Sequence, residues 1–168
     1  VGYTNAGKST LLKAIMGHVP PSAGSVRCGG KDIASLTPYR IARGGIAYVP
    51  EERLVFDSLT VEENLAAGML AGVAGAPRWT IKQMYDYFPR LLERRSTKAG
   101  YLSGGEQQML TICRSLLGNP RMIMIDGPTE GLAPKIVEAV SEVILDIRRR
   151  GVGVLLVEQK MTIALRIA

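Results

Sequence analysis

Two stretches of the chain are apolar without a break. Met122–Ile125 and Val152–Val157 lack the alternation of a half-solvated strand, and so predict central parallel strands buried on both faces. Between them Ile136, Val137, Val140, Val143, Ile144 and Ile147 recur at helical spacing and mark one face of a helix starting at Pro134. Arg148, Arg149 and Arg150 close that helix before Gly151, where cations suit the carbonyl end of the dipole. Strand, helix, strand in this order is a right-handed crossover unit. Ile46–Val49, stopped by Pro50, predicts a further strand, and Ser25–Arg27 with Gly29–Gly30 a short strand and turn. Thr10–Met16 predicts a helix ending near Gly17, His18 and the Pro20–Pro21 pair. From Thr60 to Leu92 the pattern turns helical. Thr60 with Glu63 is a capping-box pair that opens a helix through Leu65 and Met69. Gly68, Gly72, Gly75 and Pro77 break it, and Trp79–Leu92 resumes as one helix with Trp79 and Phe88 in the core.

Composition narrows the class without changing this picture. A chain of 168 residues is one domain with room for a real core, and 46% hydrophobic with 21% charged residues is ordinary for a globular α/β protein. Mean hydropathy is +0.12, and no apolar run approaches the ~18 residues that span a bilayer. The first residues run straight into a glycine-rich pattern rather than a signal peptide. Cys28 and Cys113 lie far apart without metal-ligand spacing and read as two reduced thiols. A net charge of +6 invites a nucleic-acid reading. Yet the arginines at 148–150 belong to a helix end, and Arg94 and Arg95 lack the interleaved aromatics of a single-strand binder. Nucleic acid is therefore not an expected partner; anionic lipid or an acidic protein suits the charge at least as well.

The candidate chemistry begins at "GYTNAGKST", residues 2–10, which satisfies G-x-x-x-x-G-K-[ST]. Gly2, Tyr3, Thr4, Asn5, Ala6 and Gly7 would turn backbone amides around phosphate oxygens. Lys8 would pair with the β- and γ-phosphates, the Ser9 hydroxyl would ligate Mg²⁺, and Thr10 continues the helix behind them. The pattern alone does not separate ATPase, GTPase and kinase, but no guanine-reading N-K-x-D stretch is present. At "MIMIDGPTEGL", residues 122–132, a buried strand ends in Asp126, the expected position of a second magnesium ligand.

"LSGGEQQ", residues 102–108, decides the family. Together with the glycine loop and the acid-ended strand, in this order and spacing, it resembles the nucleotide-binding domain of ABC transporters over essentially the whole chain. The resemblance implies a P-loop NTPase (RecA-like) parallel-sheet core with an inserted α-helical subdomain at about 60–117, truncated at both ends. It implies that Ser103, Gly104, Gly105 and Glu106 address the γ-phosphate of ATP held by an opposite subunit. "AYVPEERLVFDSLTVEENL" (47–65), "EGLAPKIVE" (130–138) and "LLVEQ" (155–159) are similar to the subunits that power branched-chain amino acid importers and their amide and urea relatives. In that branch Glu51 replaces the Gln that touches Mg²⁺, and Gln159 replaces a histidine that contacts the γ-phosphate.

Two departures do not belong to the branch: Thr4–Asn5 in the loop, and Gly127 where the family has the glutamate that readies the attacking water. Gly127 should leave Mg·ATP binding intact and slow turnover. It fits a subunit whose partner hydrolyses, an engineered trap, or slow hydrolysis through another base such as Glu51. Glu130 matches a different family position, on the loop that faces the partner. The implied machine is a homodimer or heterodimer of ATP-binding subunits sandwiching ATP, pressing on transmembrane permease subunits at the cytoplasmic face of the inner membrane. A periplasmic or extracellular solute-binding protein would deliver the solute. The other reading is a nucleotide-binding regulatory or hydrolysis-deficient subunit that does not drive transport.

Overall fold

A computed structural model describes residues 7–158. The order of elements is α1 (Lys8–Ile15), β1 (Arg27–Cys28), β2 (Lys31–Asp32), α2 (Pro38–Arg43), β3 (Ile46–Val49), α3 (Val61–Gly68), α4 (Ile81–Tyr87) and α5 (Pro89–Glu93). A single 3₁₀ turn at Ala99–Tyr101 follows, then α6 (Gly104–Leu116), β4 (Met122–Asp126), α7 (Pro134–Arg149) and β5 (Gly153–Val157). The parallel sheet has the order β3-β4-β5, with Ile46 opposite Met122 and Met122 opposite Gly153. β1 and β2 form a small antiparallel ladder.

The unbroken apolar run of β4 has a direct cause. Ile123 and Ile125 enter a large core with Val61, Leu65, Leu110, Ile112, Val143 and Ile144, supplied by α3, α6 and α7. Met124, pointing the other way, joins Leu12, Met16, Ile41 and Ile46 beneath α1 and α2. Helices cover both faces, so no position of the strand is left for a polar side chain before Asp126. The α/β expectation and the parallel pairing hold. β5 departs from it: its residues from Val154 to Val157 are only half-buried, because it is the outer strand among the described residues.

The helical stretch differs from the periodicity in two places. Trp79–Leu92 is not one helix. Trp79 precedes the Thr80 cap, and α4 ends at Phe88, whose φ of −130° and ψ of 78° leave the helical region. Pro89 lacks an amide and disfavours helical geometry in the residue before it, so the chain turns there and restarts as α5. Trp79 and Phe88 are nonetheless core residues, at 4% and 2% exposure. The helix from Thr60 stops at Gly68 rather than Met69, and its capping box is formed. The short helix α2 carries no periodic apolar signal and was not expected. The first helix begins two residues earlier than its pattern suggested, and the first short strand lies at Arg27–Cys28.

Two buried asparagines fasten this region. Asn64, fully buried, accepts from Phe56 N at 2.9 Å and donates to the carbonyls of Phe56, Leu59 and Thr60. Asn119 accepts from Trp79 N at 2.7 Å and donates to Leu70 O at 2.7 Å. Asn64→Ala strands a buried amide and several carbonyls together, and should cost about 2–3 kcal/mol in urea unfolding. A loss below ~0.5 kcal/mol would show that the loop at 54–60 is held by other contacts.

Candidate functional site

The site grows from the ends of two elements. At the start of α1, Gly7 is the N-cap with φ +83°, a left-handed conformation that a side chain would strain, although the space around its Cα is open. Its geometry turns the chain so that Lys8 and Ser9 occupy the first helical turn, where unpaired amides and the helix dipole favour an anion. Thr10, in the same turn, is exposed. Gly2, Tyr3, Thr4, Asn5 and Ala6, and also Gln159, lie outside the described residues.

The second end is that of β4. Asp126 is its last residue and 2% exposed. Beyond it Gly127 donates to Val157 O at 2.8 Å, continuing the ladder with β5, and takes φ +54°. A Cβ built on Gly127 would lie 3.5 Å from Glu51 Cγ and 3.6 Å from Glu130 Oε2. Position 127 therefore faces two other carboxylates, one from the segment after β3 and one from the loop after β4. Burial raises the Glu51 pKa above the usual carboxylate range, and Glu130 and Asp126 push it further, with a side-chain hydrogen bond to Glu130. Burial raises the Tyr48 phenol to about 12, helped by the charges of Asp126, Glu52 and Glu51. Glu52 goes the other way: a backbone hydrogen bond and Lys13 Nζ at 3.1 Å hold it down. The Lys13–Glu52 pair also ties α1 to the 51–53 segment.

Among the described residues no group of three or more His, Cys, Asp or Glu is placed to hold a metal ion. The donors expected from the sequence, the Ser9 hydroxyl and the Asp126 carboxylate, suit Mg²⁺ of a different kind. That ion keeps waters and phosphate oxygens and is held by only one or two carboxylates of the protein. Glu51 stands near Asp126 as a further oxygen donor.

α6 begins at Gly104, with Ser103 as its N-cap. The structure gives Glu106 a job that the motif did not reveal. Its carboxylate accepts from Ser103 N and Ser103 Oγ, both at 2.8 Å, and from Arg90 Nε at 3.2 Å. Burial alone would raise its pKa, yet these bonds and the Arg94 charge hold it below the usual range. Glu106 is thus turned back onto its own helix as the second half of a capping box, which rigidifies the Ser103–Gly105 turn. The same [ST]-x-x-E spacing, present also at Thr60, is the available signal.

Arg53 joins the two regions. Its Nη2 donates to Glu130 O at 2.9 Å, while its Nη1 lies where a Cβ on Gly104 would have to be. A side chain at 104 could not coexist with this arrangement. No local pattern in the sequence marks Arg53.

Away from these carboxylates a groove of about 400 Å³ runs between β3 and the helices α3 and α6, lined by Tyr48, Pro50, Leu54, Phe56, Leu70 and Arg114. Leu54, Phe56 and Leu70 are at least half exposed, an unusual apolar cluster on a surface. The Arg114 guanidinium stacks over Phe56 with Cζ 4.4 Å from the ring centre, and also donates to Leu54 O. Among the described residues, no helix is long and apolar enough to cross a membrane.

Comparison with known proteins matches these features to one family. A family model described as ABC transporter matches residues 1–130. The chain is 44% identical over 168 residues to the high-affinity branched-chain amino acid transport ATP-binding protein BraG of Pseudomonas aeruginosa, spanning 100% of this chain and 72% of that one. It superposes on a solved ATP-binding subunit of an ABC transporter with a TM-score of 0.80 at 29% identity, over 100% of this chain and 70% of the other. A dimeric ATP-binding cassette in a post-hydrolysis state, bound to ADP and phosphate, matches with a TM-score of 0.75 at 25% identity, over 95% and 73%.

Proposed function

The chain belongs to the ABC transporter family of ATP-binding proteins, and from that premise we propose that it is the ATP-binding subunit of an importer for branched-chain amino acids or related small polar solutes. The observation that carries this reading is the likeness along the whole chain to a branched-chain amino acid transport ATP-binding protein. A regulatory module that does not drive transport is the weaker reading, because that relative is named for transport.

In this reading the α1 amides, Lys8 and Thr10 hold the phosphates of ATP, with residues 2–6 completing the loop. Ser9, Asp126 and Glu51 hold Mg²⁺, which supplies charge neutralisation at the phosphates. Gln159 contacts the terminal phosphate. The Ser103–Gly105 turn, braced by Glu106, addresses the ATP of a second ATP-binding subunit, identical or homologous. Phosphoryl transfer is mostly positioning and charge stabilisation, so binding survives Gly127 while turnover is slow.

The apolar groove beside Leu54, Phe56 and Leu70 suits a helix of a permease subunit, reached from the cytoplasmic face of the membrane. Closing the ATP sandwich would move the helical region at about 60–117 and the segment around Glu51 against that partner. A solute-binding protein outside the membrane would present the solute. Light scattering with Mg·ATP and the partner subunit present should register a dimer that dissociates when ATP is withdrawn. A monomer at saturating Mg·ATP would remove the basis of this reading.

A further inference from the structure

Beside the apolar groove, a second hollow of about 240 Å³ opens between α2 and the loop after α3, lined by Tyr39, Arg43, Leu70, Ala71 and Val73. The two hollows share Ala42, Leu70 and Gly118, and no carboxylate lines either of them. Tyr39 is 65% exposed, and Met69 and Leu70 are more than half exposed. Four exposed arginines border this apolar surface. Arg43 Nη1 donates to Tyr39 Oη at 2.8 Å with its guanidinium over the ring. Arg78 donates to Ala71 O, Arg121 donates to Ala74 O, and Arg40 stands one turn before Arg43 on α2. A guanidinium has five donors, so each of these contacts leaves most of them available. The segments 37–45, 69–80 and 117–122 that build this face contain no Asp or Glu.

We propose that this face rests on a membrane surface and binds anionic lipid headgroups, the arginines meeting phosphates while Tyr39, Met69 and Leu70 sink into the interface. Charge complementarity points to that occupant, because an acid-free ring of cations around exposed apolar side chains is what an anionic bilayer attracts. An aromatic with a polar tip, held beside an arginine, suits the depth of the headgroups. The loop at 69–76 consists of Met, Leu, Val, Ala and Gly, whose side chains carry no group to read a folded partner by hydrogen bonds. It matches a fluid interface better than a specific protein surface. The inference goes beyond the importer reading: lipid charge, besides the permease, sets how firmly the subunit is held at the membrane.

The test is flotation of the chain at physiological salt with protein-free vesicles, either of phosphatidylcholine alone or of equal parts phosphatidylcholine and phosphatidylglycerol. The chain should float with the anionic vesicles and not with the neutral ones. The double variant Arg40→Gln/Arg43→Gln should weaken that binding by about 10–30-fold. Tyr39→Ser keeps all four arginines and should weaken it by about 3–10-fold. Lys82→Gln/Lys135→Gln removes the same charge from exposed positions outside both hollows. It should stay within about twofold, since charges beyond a Debye length are screened. No binding to anionic vesicles overturns the proposal. Equal binding to both kinds of vesicle would reduce the face to plain apolar adhesion, and equal loss in both double variants would make net charge the cause; either overturns it. Tighter capture of polyglutamate than of anionic vesicles, lost in Arg40→Gln/Arg43→Gln, would assign the face to an acidic protein instead. Light scattering with Mg·ATP separates this inference from the importer reading. A chain that dimerises yet ignores anionic vesicles overturns the lipid contact alone, and one that stays monomeric while binding them overturns the importer reading alone.

Discussion

Gly127→Glu is expected to raise ATP turnover by about 10²–10⁴-fold, the usual contribution of a positioned general base, equivalent to about 3–5 kcal/mol of barrier. The structure adds two conditions. Space is present, since the nearest atoms to a new Cβ lie 3.5 and 3.6 Å away, in ordinary van der Waals contact. The backbone, at φ +54°, is less accommodating to a side chain and should cost about 1–2 kcal/mol of stability. The new carboxylate would also enter a cluster already holding Glu51, Glu130 and Asp126. The variant should therefore be faster and less stable at once, a combination that a repaired fold would not give. Gly127→Gln has the same shape and strain without the charge, and should lose the stability without gaining the rate. Steady-state phosphate release and urea titrations on the three proteins decide it. No gain in Gly127→Glu, with nucleotide binding intact, would mean that hydrolysis does not lack a carboxylate at 127.

Lys8→Ala should weaken Mg·ATP binding by about 10²–10⁴-fold. Hydrogen bonds from a cation to an anion are worth about 1.5–3 kcal/mol each, and the ammonium is expected to bridge two phosphates. The side chain is half-buried in the first turn of α1, while the buried anchor of that helix is Leu12. Its loss should leave the melting temperature within a degree or two. ADP affinity should fall less than ATP affinity, because one of the two phosphates that Lys8 serves is absent. A nucleotide titration in which Lys8→Ala binds ATP within threefold of the unaltered protein would remove the glycine loop from the site.

How far the sequence alone reached can be judged residue by residue. It placed the strands at 46–49 and 122–126, the helix from Pro134, the Thr60–Glu63 cap, the buried Trp79 and Phe88, and the family. These are governed by local spacing: an apolar run, a 3.6-residue period, a polar cap and a glycine-rich loop each carry their own signature. It also placed Asp126 at the end of a strand with Gly127 directly after it, because strand end and motif coincide. It joined Trp79–Leu92 into one helix because periodicity outweighed Pro89, and it treated Glu106 as a ligand contact where the fold uses it as a cap.

What only the tertiary structure decided is how distant residues meet. Glu51 and Glu130 flank Gly127 although 79 positions separate them, and Arg53 reaches Gly104 and the Glu130 carbonyl across 51 and 77 positions. Asn119 becomes a buried anchor through Trp79 and Leu70, 40 and 49 positions away. No spacing rule predicts such encounters, since they depend on where two loops are brought by a sheet whose strands are far apart in sequence. Local chemistry therefore fixed the kind of site, and packing fixed which charges share it.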